Sequence, residues 1–172
     1  RSVGSGGQTN KRSAPTLWNT AFLDTFFWDS RSSSLEDQAL ESLFADDEMA
    51  STPVKLIDDL ARVDNYKALF KEAFPDNVTS ESSVISIANV VSALAAFQTS
   101  LISLNSAYDR YALGDPSALT KNQVIGLNVF RSFVARCSQC HTPPLFTNQQ
   151  LAVIGTPEPE GLPRDVGAAK TF

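Results

Sequence analysis

The sequence predicts an all-α protein, and three observations support this fold class. Apolar residues recur at three- and four-residue spacing over residues 83–105, which is the pattern of one helix face. Several segments open with residues that cap helices, such as Ser34, Thr52 and Thr120. No segment alternates apolar and polar residues as a strand does, and the sequence contains no internal repeat. We therefore expect helices joined by irregular segments.

Residues 1–30 are expected to be irregular. Residues 1–14 are rich in glycine, serine and basic side chains, which favours a loop or a mobile arm. Residues 15–30 contain a cluster of aromatic side chains: Trp18, Phe22, Phe26, Phe27 and Trp28. Such a cluster usually belongs to a core.

Three short helices are predicted next. Residues 34–37, Ser-Leu-Glu-Asp, have the form of a capping box that opens a helix of two or three turns. Residues 52–53, Thr-Pro, open a second helix that is expected to run to about Val63. Asp64 opens a third helix, which must end before Pro75 because the residue before a proline disfavours the helical conformation.

The longest predicted helix spans residues 83–105. One face carries Val84, Ile87, Val91, Leu94, Phe97, Leu101 and Leu104. Ile85 and several alanines fill much of the remaining surface, so this helix is expected to be central and covered on most sides.

The last predicted helix leads into the most informative motif. Thr120 and Gln123 form a capping box. One face of the helix then carries Leu127, Phe130, Phe133 and Val134, and Cys137 continues that stripe. After His141 the chain is rich in proline and is expected to be irregular.

Residues 137–141 read Cys-Ser-Gln-Cys-His and contain the 2 cysteines and the 1 histidine of the chain. This spacing is the attachment signature of c-type haem. Two cysteines three positions apart at a helix end can each form a thioether to one porphyrin, and the adjacent histidine then lies beneath the iron as its ligand. We expect a carbonyl of the Pro143–Pro144 segment to accept the other imidazole N–H, and Leu145 and Phe146 to supply a pocket wall.

Haem c is the preferred interpretation, and three alternatives stay open. A zinc site would have only three ligands, crowded together. A redox-active dithiol usually lies where a strand meets a helix, and a plain disulfide would need no cofactor.

The spacing does not select a sixth ligand for the haem iron. The candidates are Met49, Tyr66, Tyr108 and Tyr111, and the sixth position can also be open.

The net charge limits the kinds of partner that are expected, and the haem motif indicates a cellular location. The net charge of −5 argues against a nucleic acid and against an anionic membrane surface, whereas a basic partner such as a small electron-transfer protein is compatible with it. No apolar run approaches the roughly 20 residues of a membrane span. Covalent haem attachment takes place on the non-cytoplasmic side of an energy-transducing membrane, so the bacterial periplasm is the expected location.

Three ordered stretches resemble the bacterial dihaem cytochrome c peroxidase superfamily, which includes dihaem enzymes that oxidise tryptophan residues of partner proteins. The first stretch is RSAPTLWN at residues 12–19, followed by FWDSR at 27–31. The second is SLEDQA at 34–39 with the Glu48-Met49 pair after it. The third runs from residue 107 through the haem motif to TPPLFT, ending at residue 147.

The resemblance implies cytochrome c-like helical domains around covalent haem. Residues 1–105 would be the remainder of the first, peroxidatic haem domain with the inter-domain helices, and residues 106–172 the start of the second domain. The Cys-Ser-Gln-Cys-His motif matches the second, electron-relay haem. The chain is expected to be the central part of a longer protein, without the first haem motif and the C-terminal segment.

The resemblance also implies three catalytic residues. Glu48 and Gln38 match a carboxylate and an amide on the distal side of the peroxidatic haem, and Trp28 matches a tryptophan between the haems. A carboxylate in a partly apolar pocket can move a proton as base and then as acid, while a nearby amide can orient peroxide. Without the resemblance, Glu48 would be a solvated helix end, Trp28 a core residue and Gln38 a surface helix residue.

The implied function is a peroxidase-type oxidoreductase that reduces hydrogen peroxide with electrons relayed through the haem ligated by His141. Its electrons would come from a small redox protein, a cytochrome c or a cupredoxin. Alternatives are a monohaem electron-transfer protein without peroxidase activity, a dihaem enzyme that oxidises a partner protein, and a module in which haem only stabilises the fold. The resemblance further implies a second haem and allows a homodimer. It also allows a calcium ion between the domains, although many members bind that ion with an asparagine at the position that Ser13 occupies here.

Overall fold

The computed structural model describes residues 1–75, 84–155, 157, 160–161 and 164–170. Within these residues the chain is helical: the extended pairings are two isolated bridges, Val3 with Thr9 and Phe26 with Ser32, and no strand forms in the described part. The α-helices are α1 Leu35–Phe44, α2 Pro53–Ala61, α3 Asp64–Ala73, α4 Ile87–Ser100, α5 Ala107–Ala112 and α6 Lys121–Arg131. The all-α prediction is therefore confirmed.

The predicted caps open the helices where they were expected. The Ser34 hydroxyl accepts the Asp37 N–H at the start of α1, and the Thr52 hydroxyl accepts the Lys55 N–H at the start of α2. At the start of α6, Thr120 and Gln123 form the full reciprocal box. These bonds satisfy backbone donors that the first helical turn leaves unpaired.

Helix α2 is shorter than predicted. It ends at Ala61 rather than near Val63, because Val63 has an extended backbone (φ −93°, ψ 106°) and serves as the N-cap residue of α3. Helix α3 begins at Asp64 and ends at Ala73, before Pro75, as predicted.

The prediction of one helix over 83–105 is wrong at both ends, since α4 covers only Ile87–Ser100; residue 83 lies outside the described residues. Upstream, the Ser86 hydroxyl accepts the Asn89 N–H at 3.2 Å and the Asn89 amide donates to the Val84 carbonyl at 2.8 Å. These bonds hold the preceding segment extended. Downstream, Asn19 pairs with the carbonyl of Leu101 at 2.8 Å and with the N–H of Ser103 at 2.7 Å.

The helix before the haem motif also ends earlier than predicted. Helix α6 stops at Arg131 because Ser132 adopts an extended conformation (φ −65°, ψ 151°), and its hydroxyl accepts the Ala135 N–H at 3.1 Å. Phe133 and Val134 therefore follow the helix, and Cys137 lies in a separate 3₁₀ turn, Cys137–Gln139. Helix α5, which the sequence analysis did not predict, begins with a capping box between Ser106 and Asp109.

The core lies around the N-terminal half of α4. One buried cluster joins Phe70, Val84, Ile85 and Val90, and a second joins Ala39, Leu43 and Val91. Burying each large apolar side chain contributes roughly 1.5–3 kcal/mol. The central place predicted for α4 is confirmed for this half, whereas Phe97 near its C-terminal end is 58% exposed.

Among the described residues, the buried apolar side chains all fall between Leu35 and Ala95. The haem motif lies outside this range, in a part of the chain whose described apolar side chains are exposed or half-buried. In the same described part, no helix is long and apolar enough to cross a membrane.

Candidate active site

The haem motif forms a tight turn that presents both thiols outward. The N–H groups of Cys140 and His141 donate to the Cys137 carbonyl at 3.3 and 2.9 Å. Both thiols are free and exposed. Asn148, which the sequence analysis missed, closes the turn: its backbone N–H donates to the Cys140 carbonyl at 2.9 Å and its amide to the Gln139 carbonyl at 3.1 Å.

The His141 imidazole is oriented by the backbone. Its Nδ1 lies 3.2 Å from the Phe146 carbonyl oxygen, so an Nδ1–H donates there and the Nε2 lone pair is left for a metal. The predicted acceptor, in the Pro143–Pro144 segment, is wrong by two residues. A hydrogen bond from the Thr147 N–H to the Thr142 carbonyl at 3.2 Å closes a turn in the chain. This turn brings the Phe146 carbonyl to the Nδ1 atom of the imidazole.

An aromatic cluster packs beside this histidine. The Phe130 ring centroid lies 6.5 Å from the imidazole and 5.9 Å from the Phe146 ring. Phe146 in turn meets the edge of Tyr108 at 4.9 Å, and the Tyr108 hydroxyl accepts from Arg131 at 2.7 Å. Phe146 therefore lies in an aromatic cluster beside His141, and its place in the wall of a haem pocket stays a prediction.

The chemistry of this donor set fits a covalently attached haem c. Two outward thiols at the required spacing flank an imidazole whose tautomer is set for ligation. Apolar surface for a porphyrin lies nearby, since Phe133 is 77% and Val134 93% exposed. The two thiols are not joined in a disulfide in this structure, and the described residues contain no group of three or more His, Cys, Asp or Glu side chains placed to hold a metal ion.

The three predicted catalytic residues meet at one cavity of about 790 Å³, here called the distal cavity. Trp28, Gln38 and Glu48 all line it, together with Met49. Its volume falls in the range of small-molecule and cofactor sites, roughly 300–1,000 Å³. The Asn10 side-chain oxygen, also in the wall, is buried without a hydrogen-bond partner in the described part of the chain, which suits a cavity that takes up a polar group.

The turn that carries Glu48 is fixed by the N-terminal segment. The Ser5 N–H donates to the Glu48 carbonyl at 2.7 Å, and the Glu48 N–H donates to the Ala45 carbonyl at 3.0 Å. Gly4 approaches so closely that a Cβ there would lie 2.1 Å from the Asp47 carbonyl oxygen. Glu48 and Gln38 are half-buried rather than solvated, and the Gln38 amide donates to the Ser42 hydroxyl at 3.0 Å.

Trp28 lines the distal cavity and also a second cavity of about 560 Å³, here called the relay-side cavity. Four further residues line both cavities: Pro15, Leu17, Phe27 and Gln38. The relay-side cavity is bordered by Leu145 and Thr147, just after the haem motif. The indole is 61% exposed and so is not a core residue, and its N–H donates to the Ser13 carbonyl at 2.7 Å.

A chain of five alternating charges runs beside Trp28. Asp165, Arg12, Asp29, Arg31 and Glu41 are joined in that order by contacts of 2.6–2.9 Å. No sequence pattern predicts it, because Arg12 and Asp165 are 153 residues apart. The bidentate hydrogen bond from Arg12 holds the pKa of the Asp165 carboxyl well below its usual range. Partial burial acts to raise the pKa of Asp29, but hydrogen bonds from Arg31 and Arg12 outweigh it and lower that pKa.

The candidate sixth ligands lie in different places. Met49 lines the distal cavity, and no residue of the haem motif lines that cavity. Tyr66 lies on α3 with its ring against Phe70. Tyr108 packs against Phe146, and its hydroxyl accepts a hydrogen bond from Arg131.

An all-α chain with an exposed Cys-x-x-Cys-His turn is typical of c-type cytochromes. Comparison with known proteins identifies the family of c-type cytochromes to which the chain is similar. The family model for di-haem cytochrome c peroxidase matches residues 1–117. The methylamine utilization protein MauG of Methylophilus methylotrophus is 33% identical over 150 residues, covering 87% of this chain and 43% of that protein. Cytochrome c peroxidase Ccp of Escherichia coli is 32% identical over 165 residues, covering 95% of this chain and 32% of that protein.

A solved structure gives the same result. A MauG-like protein associated with microbial copper homeostasis matches with a TM-score of 0.74 at 28% identity, covering 88% of this chain and 45% of that chain. The chain therefore belongs to the di-haem cytochrome c peroxidase family, as its ordered motifs predicted. It spans less than half the length of these relatives.

Proposed function

We propose that this chain is part of a dihaem c-type oxidoreductase that reduces hydrogen peroxide, with electrons relayed through the haem attached at Cys137 and Cys140 and ligated by His141. The observation that carries the proposal is the common cavity of Glu48, Gln38 and Trp28. These residues come from a loop, a helix and a turn, and peroxide chemistry needs a proton carrier, an orienting amide and an electron path together.

A haem at the distal cavity would supply an iron centre that exchanges electrons singly. Glu48 would take the proton from one peroxide oxygen and give it to the other, which then leaves as water. The Gln38 amide orients the peroxide. The overall reaction consumes one H₂O₂, two electrons and two protons and yields two waters. Trp28, which lines both cavities, carries the electrons from the relay side.

The electrons come from a small redox protein, a cytochrome c or a cupredoxin, and the enzyme acts in the periplasm. The motif at 137–141 supports this location, because haem is attached to such motifs outside the cytoplasm. A second haem, a calcium ion near Ser13 and a homodimer belong to the same proposal for the whole protein. Metal analysis and sedimentation of the full-length protein test the last two.

A second candidate is a dihaem enzyme that passes its oxidising equivalents to a partner protein instead of water. The 61% exposure of the Trp28 indole favours it, since an exposed aromatic ring can exchange electrons with a docked partner. Peroxide consumption that needs a protein substrate, and does not accept electrons from a reduced cytochrome c or cupredoxin, would select this candidate.

The catalytic role of Glu48 is tested by steady-state peroxide turnover of the full-length, haem-loaded protein. Glu48→Gln keeps the size and polarity of the side chain but removes its proton-carrying function. We expect kcat to fall by roughly 10²–10⁴-fold, the usual contribution of general acid–base catalysis. Asp46→Asn is the matched control, because Asp46 is an exposed acid of the same turn that does not line the distal cavity. Undiminished turnover in Glu48→Gln would remove the catalytic assignment.

The number of haems separates the enzyme from a monohaem electron carrier. Pyridine haemochrome analysis combined with the intact mass of the protein from its source gives haem per chain. Two haems on a longer chain agree with the proposal. One haem on a chain of this length would make electron transfer without peroxidase activity the better interpretation.

A further inference from the structure

Within the described chain, packing restrains Trp28 only in part, since this residue is 61% exposed. The loop that carries it has two non-glycine residues with left-handed backbones, Phe27 (φ 65°) and Ser30 (φ 57°). Such conformations persist only where surrounding contacts hold them. The polar contacts around the loop therefore help to determine where the indole lies.

Two of these contacts are hydrogen bonds that join the dipeptide Arg12–Ser13 to the dipeptide Trp28–Asp29. The Trp28 N–H donates to the Ser13 carbonyl at 2.7 Å. The guanidinium of Arg12, one residue before Ser13, donates to the carboxylate of Asp29, one residue after Trp28, at 2.8 Å. Because the two bonds run in parallel between the same two dipeptides, the indole cannot turn without breaking one of them.

Arg12 is itself held from the far end of the described chain. Its Nε and Nη2 each donate to one oxygen of the Asp165 carboxylate at 2.7 Å, and the Gly167 N–H donates to the same carboxylate at 2.9 Å. A guanidinium can contact two carboxylates at once with fixed geometry, whereas the single ammonium group of lysine cannot reproduce this fork.

The opposite side of the loop is anchored on the surface of helix α1. The second oxygen of Asp29 accepts from Arg31 at 2.9 Å, and Arg31 donates to Glu41 on α1 at 2.6 Å. Helix α1 packs on α4 at the centre of the fold. The loop of Trp28 is thus fixed between α1 and the segment at Asp165, and Arg12 is the member that joins the two.

We propose that Arg12 is a positioning residue for Trp28: by binding Asp29 and Asp165 together, it holds the indole in the wall of both the distal and the relay-side cavities. The consequence for electron relay rests on the proposed function of Trp28, whereas the effect on the indole itself does not. Arg12 also lines the distal cavity, but in this proposal it acts on the indole through the loop and makes no contact with the reacting atoms.

The test uses the full-length, haem-loaded protein and two readouts. The ultraviolet resonance Raman band that reports the indole N–H hydrogen bond is measured as a difference against Trp28→Phe, which isolates Trp28. The rate of electron transfer between the haems is measured after rapid reduction of one of them. The variants are Arg12→Lys, which keeps the charge but removes the fork, and Asp165→Asn, which keeps Arg12 and removes the carboxylate charge.

We expect Arg12→Lys to shift the indole band towards a weaker hydrogen bond and to slow electron transfer between the haems. Asp165→Asn should change both readouts in the same direction by less. Arg62→Lys is the matched control, since Arg62 forms an exposed ion pair with Asp59 at 3.2 Å and lines neither cavity.

The outcomes are distinguishable. An unchanged indole band in Arg12→Lys, with normal haem content and circular dichroism, overturns the positioning role. If Arg12→Lys does not fold, Asp165→Asn replaces it in the test, and an unchanged indole band in that variant overturns the positioning role. If the band shifts but Trp28→Phe leaves electron transfer unchanged, the positioning role stands and the relay function of Trp28 fails.

Discussion

At the scale of single residues, the haem motif shows how a backbone carbonyl can decide the chemistry of a ligand. The sequence supplies His141 at the required position, but an imidazole has two nitrogens and can present either one. The Phe146 carbonyl at 3.2 Å binds Nδ1, which leaves Nε2 available to bind a metal. The Tyr108–Phe146–Phe130 cluster then holds this carbonyl in place.

Met49 is expected not to ligate the iron bound by His141. The chain's 1 methionine lines the distal cavity with Glu48, and the haem motif does not border that cavity. In Met49→Leu, the absorption and magnetic circular dichroism spectra of the His141-bound haem should match those of the wild type in both oxidation states. His141→Gly is the positive control, because it removes the proximal ligand and must change these spectra. Loss of a methionine-to-iron band in Met49→Leu would contradict this expectation.

At the scale of elements, the position of Glu48 depends on a contact between two backbones rather than on its own helix. The turn after α1 continues past residue 44, and the N-terminal segment binds it through the pair between Ser5 and Glu48 at 2.7 Å. Gly4 makes this approach feasible, since any side chain there would meet the Asp47 carbonyl. The irregular N-terminal arm is therefore part of the distal cavity.

Gly4→Ala is expected to displace the turn of Glu48. An added Cβ would lie 2.1 Å from a backbone oxygen, which cannot move aside as a flexible side chain could. Overpacking of this kind costs roughly 1–3 kcal/mol, so the denaturation midpoint should fall and peroxide turnover with it. Gly6→Ala is the control, because nothing lies within 4 Å of its Cβ position, and its effect should stay within about 0.5 kcal/mol. Equal stability and turnover in the two variants would argue against the contact.

At the scale of the whole molecule, polar contacts connect segments near the two ends of the described chain. The described buried apolar side chains lie between Leu35 and Ala95, yet Arg12 binds Asp165 at 2.7 Å. Gln149 makes a second connection, since it accepts from the Asp24 N–H at 2.6 Å and donates to the Phe22 carbonyl at 3.0 Å. Polar contacts of this kind depend on pH and salt more than a core does.

The stabilisation from Asp29 is expected to disappear in acid. Its pKa is lower in the folded protein than the ordinary value of 3.8, so its contribution is fully present above about pH 4 and is lost as the pH falls through the lowered pKa. The difference in free energy of unfolding between the wild type and Asp29→Asn should therefore shrink below that pH. Thr99→Ala, on an exposed face of α4, changes no ionisable group, and its difference from the wild type should not depend on pH. A difference for Asp29→Asn that stays constant down to pH 2 would refute the linkage.

The sequence by itself determined the helical class, the caps of α1, α2 and α6, the family and the haem motif. These features are local, because a cap or a Cys-x-x-Cys-His turn involves residues only a few positions apart. The spacing of apolar residues also identified α4, but the ends of that helix were wrong. Side chains of Ser86 and Asn19, one of them distant in sequence, compete there for the backbone.

Only the tertiary structure decided where the site residues meet. It brings Trp28, Gln38 and Glu48 to one cavity, selects Phe146 as the partner of His141, and joins Arg12 to Asp165 across 153 residues. A sequence pattern indicates which side of a single helix or strand is buried and which side faces solvent. It carries no record of which distant charge or carbonyl completes a contact, because that depends on how the whole chain closes on itself.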